Sequence, residues 1–182
     1  MPPARLIKDE GAPLPETGAN TVSATGEYYQ ALGLALWTYT GLEWNVVCVL
    51  RKIWPDYVSK CYRLPQRPMA SHIQRDFAWT IREIRDDALK QNMQETNDAF
   101  KACSEKRNDL FHASPITAPN GDQILSRMTE RSSILWTIED VAKATQQFEA
   151  ASRLAAALLH GKLLRKHGSI SGWPKSNKTY GG

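Results

Sequence analysis

Eight apolar residues, Tyr28, Leu32, Ala35, Tyr39, Leu42, Val46, Val49 and Ile53, follow one another at alternating spacings of four and three. Residues so spaced share one side of an α-helix and nothing else regular. The stripe is continuous over about seven turns, roughly 40 Å of helix. Trp54-Pro55 ends it, because proline disfavours helix in the residue before it. One long amphipathic helix therefore sets the scale of the fold, and the remainder of the chain has to cover its apolar side.

Three further helical segments follow. A loop carrying Pro65 and Pro68 leads to Ser71, an expected N-cap for a second helix whose buried side runs through Ile73, Phe77, Ile81, Ile84 and Leu89. A third helix is expected from about Gln94 to His112, with Phe100, Cys103, Leu110 and Phe111 inward. After Pro115 the pattern changes. Asn120-Gly121 signals a turn and Ile134-Leu135-Trp136 is a short β-like run, so a small hairpin or irregular excursion is expected there. Thr137 and Asp140 then form a capping box for the last helix, Asp140 standing in for the usual Glu. That helix runs through Val141, Ala144, Phe148, Ala151, Leu154, Ala155, Leu158 and Leu159 toward Gly161 or Lys166. The expected fold is all-α: an up-and-down four-helix bundle with a small β-hairpin or irregular insertion before the last helix.

Length and composition fit one domain between two arms. Residues 1–25 hold four of the ten prolines and no apolar period, which reads as a flexible N-terminal arm. The helical domain is expected over 26–167, and 168–182 is a Gly/Ser/Lys-rich tail in which Trp173 and Tyr180 can dock. A net charge of +4 permits nucleic acid as a partner without requiring one. No apolar run is long enough to span a bilayer, and no apolar segment of a signal peptide follows Met1-Pro2-Pro3. Cys48, Cys61 and Cys103 are odd in number with no CxxC pair, which argues against a disulfide framework and a zinc site. Cys48, inside an apolar helical run, reads as a buried reduced thiol. The expected location is cytoplasmic, with no membrane partner, no metal and no cofactor. Trp37, Trp44 and Trp79, at helical core spacing, read as core residues rather than as platforms for bases.

Chemistry concentrates in Arg107-Asn108-Asp109-Leu110-Phe111-His112. Arginine presents a planar cation suited to phosphate. Histidine titrates near neutral pH and can pass a proton either way. On a helix Ser104, Asn108 and His112 share a face, so Asn108 can hold the imidazole or a phosphate oxygen. Arg107 lies about 140° from His112 on a regular helix. Bringing both to one atom takes a tight helix end near Pro115 or a second copy of the helix across a symmetric interface. The same residues admit a purely structural reading, in which Arg107 pairs with a carboxylate such as Glu105 or Glu43 and His112 caps the helix. A second pair at the same spacing, Arg67 and His72, sits across a loop-to-helix junction with no polar residue after the arginine. His72 there reads as an ordinary residue of a helix start.

An R-x4-H motif with a polar residue after the arginine, closing the third helix of a four-helix bundle, resembles the HEPN superfamily. The resemblance covers roughly residues 27 to 165. It implies a homodimer with the active site at the subunit interface, and a metal-independent endoribonuclease of a toxin, antiphage-defence or RNA-processing system. It also implies an alternative, since other members have lost activity and serve as protein- or nucleotide-binding modules. By resemblance His112 is the general base or acid acting on the ribose 2′-hydroxyl, Arg107 steadies charge on the phosphate, and Asn108 fills the polar position beside it. Products would be a 2′,3′-cyclic phosphate and a 5′-hydroxyl. An antitoxin or regulator would be a separate protein.

Supporting candidates follow from position. Ser104 lies on the motif's helix. Glu43, between Leu42 and Trp44, is either a buried carboxylate paired with Arg107 or a solvated position. Lys101 and Lys106, with Arg107, offer an RNA-facing patch. Lys162, Arg165, Lys166 and His167 offer a second, which the dipole of the last helix's C-terminus equally explains.

Overall fold

The computed structural model describes residues 24–61, 69–128 and 132–161. These residues are mostly helical, with one small antiparallel sheet. In chain order the elements are α1 (Gly26–Ile53), α2 (Tyr57–Cys61), α3 (Ala70–Glu83), α4 (Asp87–Phe111), β1 (Ser114–Thr117), β2 (Gln123–Met128), β3 (Ser133–Trp136) and α5 (Ile138–His160). They divide into two compact units whose boundaries fall within α1, α4 and α5. The loop with Pro65 and Pro68, Arg67, the arm through residue 23, the tail, and Lys162, Arg165, Lys166 and His167 lie outside the described residues.

The first unit takes the chain up to Thr40 and from Ala102 to Ala150. Its core holds Ala35, Tyr39, Leu110, Val141, Ala144 and Phe148, all at most 1% exposed. The expected hairpin is instead a three-stranded meander in the order β1-β2-β3, because the chain enters a strand almost directly after α4. Pro115 pairs opposite Leu125 on the edge strand β1, where its missing N–H is least costly. The β1–β2 turn closes through the Gly121 amide on the Ala118 carbonyl, 2.8 Å, with Gly121 at φ +89, a conformation that favours glycine. Tyr28 ties α1 to this sheet: its hydroxyl donates to the Trp136 carbonyl at 2.7 Å and accepts from the Leu125 amide at 2.9 Å. The capping box at α5 forms as expected. The Asp140 amide donates to Thr137 Oγ1 (3.2 Å), and Asp140 Oδ2 accepts from the Thr137 hydroxyl (2.9 Å).

The second unit takes Gly41–Lys101 and the chain from Ala151. Leu42, Val46, Val49, Leu50, Ile53, Ile73, Phe77, Leu89, Met93 and Phe100 are fully buried. A polar cluster holds α1, α2 and α3: Trp54 Nε1 donates to Thr80 Oγ1 (3.1 Å) and Tyr57 donates to Asp76 Oδ2 (3.2 Å). α2 is a single turn after Pro55, too short to show an apolar period in the sequence.

Three boundaries differ from expectation. Met69, not Ser71, stands at the N-cap of α3, without a side-chain cap bond, and Ser71 lies inside the helix. The helix expected to reach Leu89 breaks after Glu83, where Ile84 adopts extended backbone. Asp86 then starts α4 seven residues before Gln94 by accepting the Leu89 amide at 2.8 Å. Leu89 therefore belongs to α4. Along α1 the apolar stripe is as expected, but Trp37 is 79% and Trp44 45% exposed, so neither is a core residue. Both project away from the stripe, two residues beyond Ala35 and Leu42, and two residues turn a helix by about 200°. Buried tryptophans occupy positions 54 and 136 instead, while Trp79 is half-buried with its ring 5.3 Å from Trp54. Leu154 is largely exposed and Cys48 half-buried, against the inward positions expected of both.

Candidate functional site

The last turn of α4, with Tyr39 of α1 and Arg127 of β2, carries the candidate site, all within the first unit. Leu110 is fully buried and anchors this turn. The His112 amide continues the helical ladder to the Asn108 carbonyl (3.0 Å), and the Ala113 amide closes it on the Leu110 carbonyl (3.3 Å). That tighter i to i−3 closure follows the end of α4 at Phe111, and β1 begins two residues later, at Ser114.

Arg107 is half-buried and held on two sides. Its guanidinium carbon sits 5.3 Å from the centroid of the Tyr39 ring, and Nη1 donates to Asn108 Oδ1 at 2.8 Å. Nε is buried without a hydrogen-bond partner. Among the described residues Arg107 therefore bonds to the neighbouring amide rather than to a carboxylate. A cation over an aromatic face is stabilised by about 0.5–2 kcal/mol, more as water is excluded.

Tyr39 is the platform. It is 1% exposed, its hydroxyl shares a hydrogen bond of 3.0 Å with Ser104 Oγ, and its ring meets Phe148 edge-on at 5.4 Å. Ser104 is thus spent on Tyr39 inside the unit, whereas Asn108 and His112 are exposed. The expected common face of Ser104, Asn108 and His112 fails because residues four apart drift by about 40° per step on a helix. Asn108 holds Arg107 and not the imidazole.

His112 is exposed, and its carbonyl accepts from Arg127 Nη1 at 3.2 Å. Arg127 lies on β2, opposite Ile134 of β3. A second guanidinium is so tethered to the backbone of the motif's histidine. Neither Tyr39 nor Arg127 was singled out in the sequence. Tyr39 looked like one more apolar position of a stripe, and Arg127 has no local pattern around it.

Of the supporting candidates, Lys106 is half-buried on α4, while Lys101 is exposed and belongs to the second unit. Glu43, also in the second unit, is 6% exposed, which removes the solvated reading. Burial pushes the Cys103 thiol, one turn before Arg107, up to about 11, with Lys106 opposing. Its thiol donates to the Gln147 carbonyl at 3.7 Å, so it is a core group and not a nucleophile. No helix among the described residues is long and apolar enough to cross a membrane. Compared with known proteins, the chain matches no family model, no curated protein and no solved structure.

Proposed function

We propose that this chain is a metal-independent endoribonuclease of HEPN type, its fold a four-helix bundle of α1, α3, α4 and α5, acting as a homodimer with the active site at the subunit interface. A toxin or antiphage-defence role, with a separate antitoxin, belongs to the same reading. One observation carries it. Arg107 is fixed on Tyr39 and Asn108 with donors to spare, five residues before an exposed histidine just past the end of the helix.

In the reaction His112 takes the proton of a ribose 2′-hydroxyl. The 2′-oxygen attacks the adjacent phosphorus, the bond from phosphorus to the 5′-oxygen breaks, and that oxygen takes up a proton. A 2′,3′-cyclic phosphate and a 5′-hydroxyl result. Arg107 offsets the charge that builds on the non-bridging oxygens, a role that needs donors already in place before the reaction starts. Arg127, tethered beside His112, supplies a further cation for the RNA backbone. Arginine and histidine thus cover charge and proton transfer between them.

A second reading, a catalytically inactive dimer that binds a protein or a nucleotide, is favoured by one feature. Among the described residues no side chain hydrogen-bonds the His112 imidazole, which leaves a base without an orienting partner. Incubation of the purified protein with structured RNA in EDTA, beside His112→Ala, separates the two. The nuclease reading expects cleavage with cyclic-phosphate ends that the variant lacks; binding without cleavage gives the second reading.

A further inference from the structure

Asn120-Gly121, which turns the chain from β1 into β2, is the one Asn-Gly pair in the sequence. Glycine leaves the backbone nitrogen after an asparagine unshielded by any Cβ, so that nitrogen can reach the asparagine's own side-chain carbon. Among the described residues the other asparagines, Asn45, Asn92, Asn97 and Asn108, all lie within α1 or α4. There the following amide is held in the helical ladder. Asn120 alone stands in a turn, and both it and Gly121 are exposed.

We infer that Asn120 is a site of self-modification: it deamidates through a cyclic imide formed with the Gly121 nitrogen and ends chiefly as isoaspartate. The turn itself supports this. Asn120 Oδ1 accepts from the Asp122 amide at 3.2 Å, and its Nδ2 donates to Asp122 Oδ2 at 2.7 Å. A side chain bonded twice to residue 122 lies alongside the intervening Gly121 nitrogen. The Asp122 amide also sits on the oxygen that becomes negative when that nitrogen adds to Cγ. A donor already in place there lowers the barrier, as in an oxyanion hole. Gly121, at φ +89, has nothing within 4 Å of where a Cβ would stand, so solvent base has open access. One bond opposes the reaction: the Gly121 amide donates to the Ala118 carbonyl at 2.8 Å and has to let go first. A single exposed turn bond is a weak restraint.

The steps balance with water as the only co-reactant. Hydroxide takes the Gly121 amide proton. The nitrogen's electron pair bonds to Asn120 Cγ, and the carbonyl electrons move onto Oδ1. On their return the bond from Cγ to Nδ2 breaks, and Nδ2 takes a proton from water and leaves as ammonia, restoring the hydroxide. Water then opens the imide. Cleavage between the nitrogen and Cγ gives aspartate, and cleavage between the nitrogen and the main-chain carbonyl carbon gives isoaspartate. Nothing is oxidised or reduced. Either product replaces the donor to Asp122 with a carboxylate in the same turn, and like charges there repel. Isoaspartate also adds a carbon to the main chain between Ala118 and Asp122, whose amide and carbonyl close the hairpin at 2.8 Å. The inference is independent of the nuclease reading, because the turn contains none of Arg107, Asn108, His112 or Arg127.

Prolonged incubation of the full chain in mildly alkaline buffer at body temperature tests it, read by cation-exchange chromatography and peptide mass mapping. The expected result is a less basic form, heavier by the difference between water and ammonia, with the change at position 120 and isoaspartate exceeding aspartate. Asn120 should react at least about tenfold faster than Asn45, Asn92, Asn97 or Asn108, and Gly121→Ala should slow it by at least about tenfold. The variant is measured both folded and in urea, so that strain at a positive φ does not account for the result. The folded wild-type rate should lie within about tenfold of the rate in urea, because the turn presents the side chain instead of shielding it. A position 120 that stays asparagine, a folded chain protected beyond that range, or a rate that Gly121→Ala leaves unchanged would each overturn the inference.

Discussion

The guanidinium of Arg107 rests over the ring of Tyr39, 5.3 Å from its centroid, and that contact joins the core of the first unit to the candidate site. Tyr39 is locked by Phe148 and Ser104, so Arg107 has a fixed plane to lie on. The contact uses guanidinium geometry, which an ammonium does not reproduce. Arg107→Ala is expected to slow single-turnover RNA cleavage by about 10²–10³-fold, the usual loss when a preorganised donor to a developing anion is removed. Arg107→Lys should not restore the rate, despite keeping the charge. A lysine variant within about threefold of the wild-type rate would show that Tyr39 and Asn108 do not position the group.

Tyr39→Phe separates the platform from its anchor. It keeps the ring under Arg107 and removes the bond to Ser104. Chemical denaturation should show a loss of about 1 kcal/mol, the net worth of a typical buried hydrogen bond. Cleavage should fall by less than about threefold. Tyr39→Leu removes the ring as well, and its rate should approach that of Arg107→Ala.

On the proposed ribonuclease reading, Arg127 bears on binding more than on chemistry. One of its donors is held by the His112 carbonyl, which leaves the others for a phosphate. Arg127→Ala should weaken RNA binding in fluorescence anisotropy and reduce the slope of log affinity against log salt by about one unit. An unchanged slope would remove Arg127 from the RNA surface.

What the sequence could and could not reveal follows from the range of the interactions. α1 was legible because eight apolar residues repeat in one register, and the start of α5 because Thr137 and Asp140 lie three apart. The break before α4 was written in Asp86, whose capping role is as local, but the continuing apolar positions Ile84 and Leu89 masked it. Trp37 and Trp44 lie off the stripe, and hydrophobicity marks a core residue only when the residue shares the stripe's angular position. Arg107 and His112 were visible as residue types. Their surroundings were not, since Tyr39 and Arg127 reach the motif from α1 and β2.

Tyr28 should be the most sensitive hydroxyl of the first unit. It is 3% exposed and makes two bonds, to the Trp136 carbonyl and from the Leu125 amide. Tyr28→Phe leaves both backbone groups without this partner, at a cost of about 1–3 kcal/mol. Hydrogen exchange should show faster amide exchange at Leu125, with the second unit's helices affected only through the overall stability. Protection at Leu125 equal to wild type would mean that water replaces the hydroxyl.

Alkaline pH should destabilise the chain through Cys103 and Tyr28. Burial raises the Cys103 thiol from 9.0 to about 11, and burial likewise raises the Tyr28 hydroxyl above its ordinary 10.0. Each group is a hydrogen-bond donor in the folded state, the thiol to the Gln147 carbonyl and the hydroxyl to the Trp136 carbonyl. The folded state therefore binds the proton more tightly than the unfolded one, and stability must fall as that proton is lost. The contribution of Cys103 is complete below pH 9 and disappears as the pH rises from 9 to about 11. Its size is on the order of 3 kcal/mol. Urea unfolding at pH 8, 9, 10 and 11 should show the decline, and Cys103→Val should flatten it over the same range, leaving the parts due to the half-buried Cys48 thiol, which burial also raises, and to Tyr28 above pH 10. Stability that rises between pH 9 and 11, or a decline identical in the valine variant, would contradict the assignment of the buried thiol.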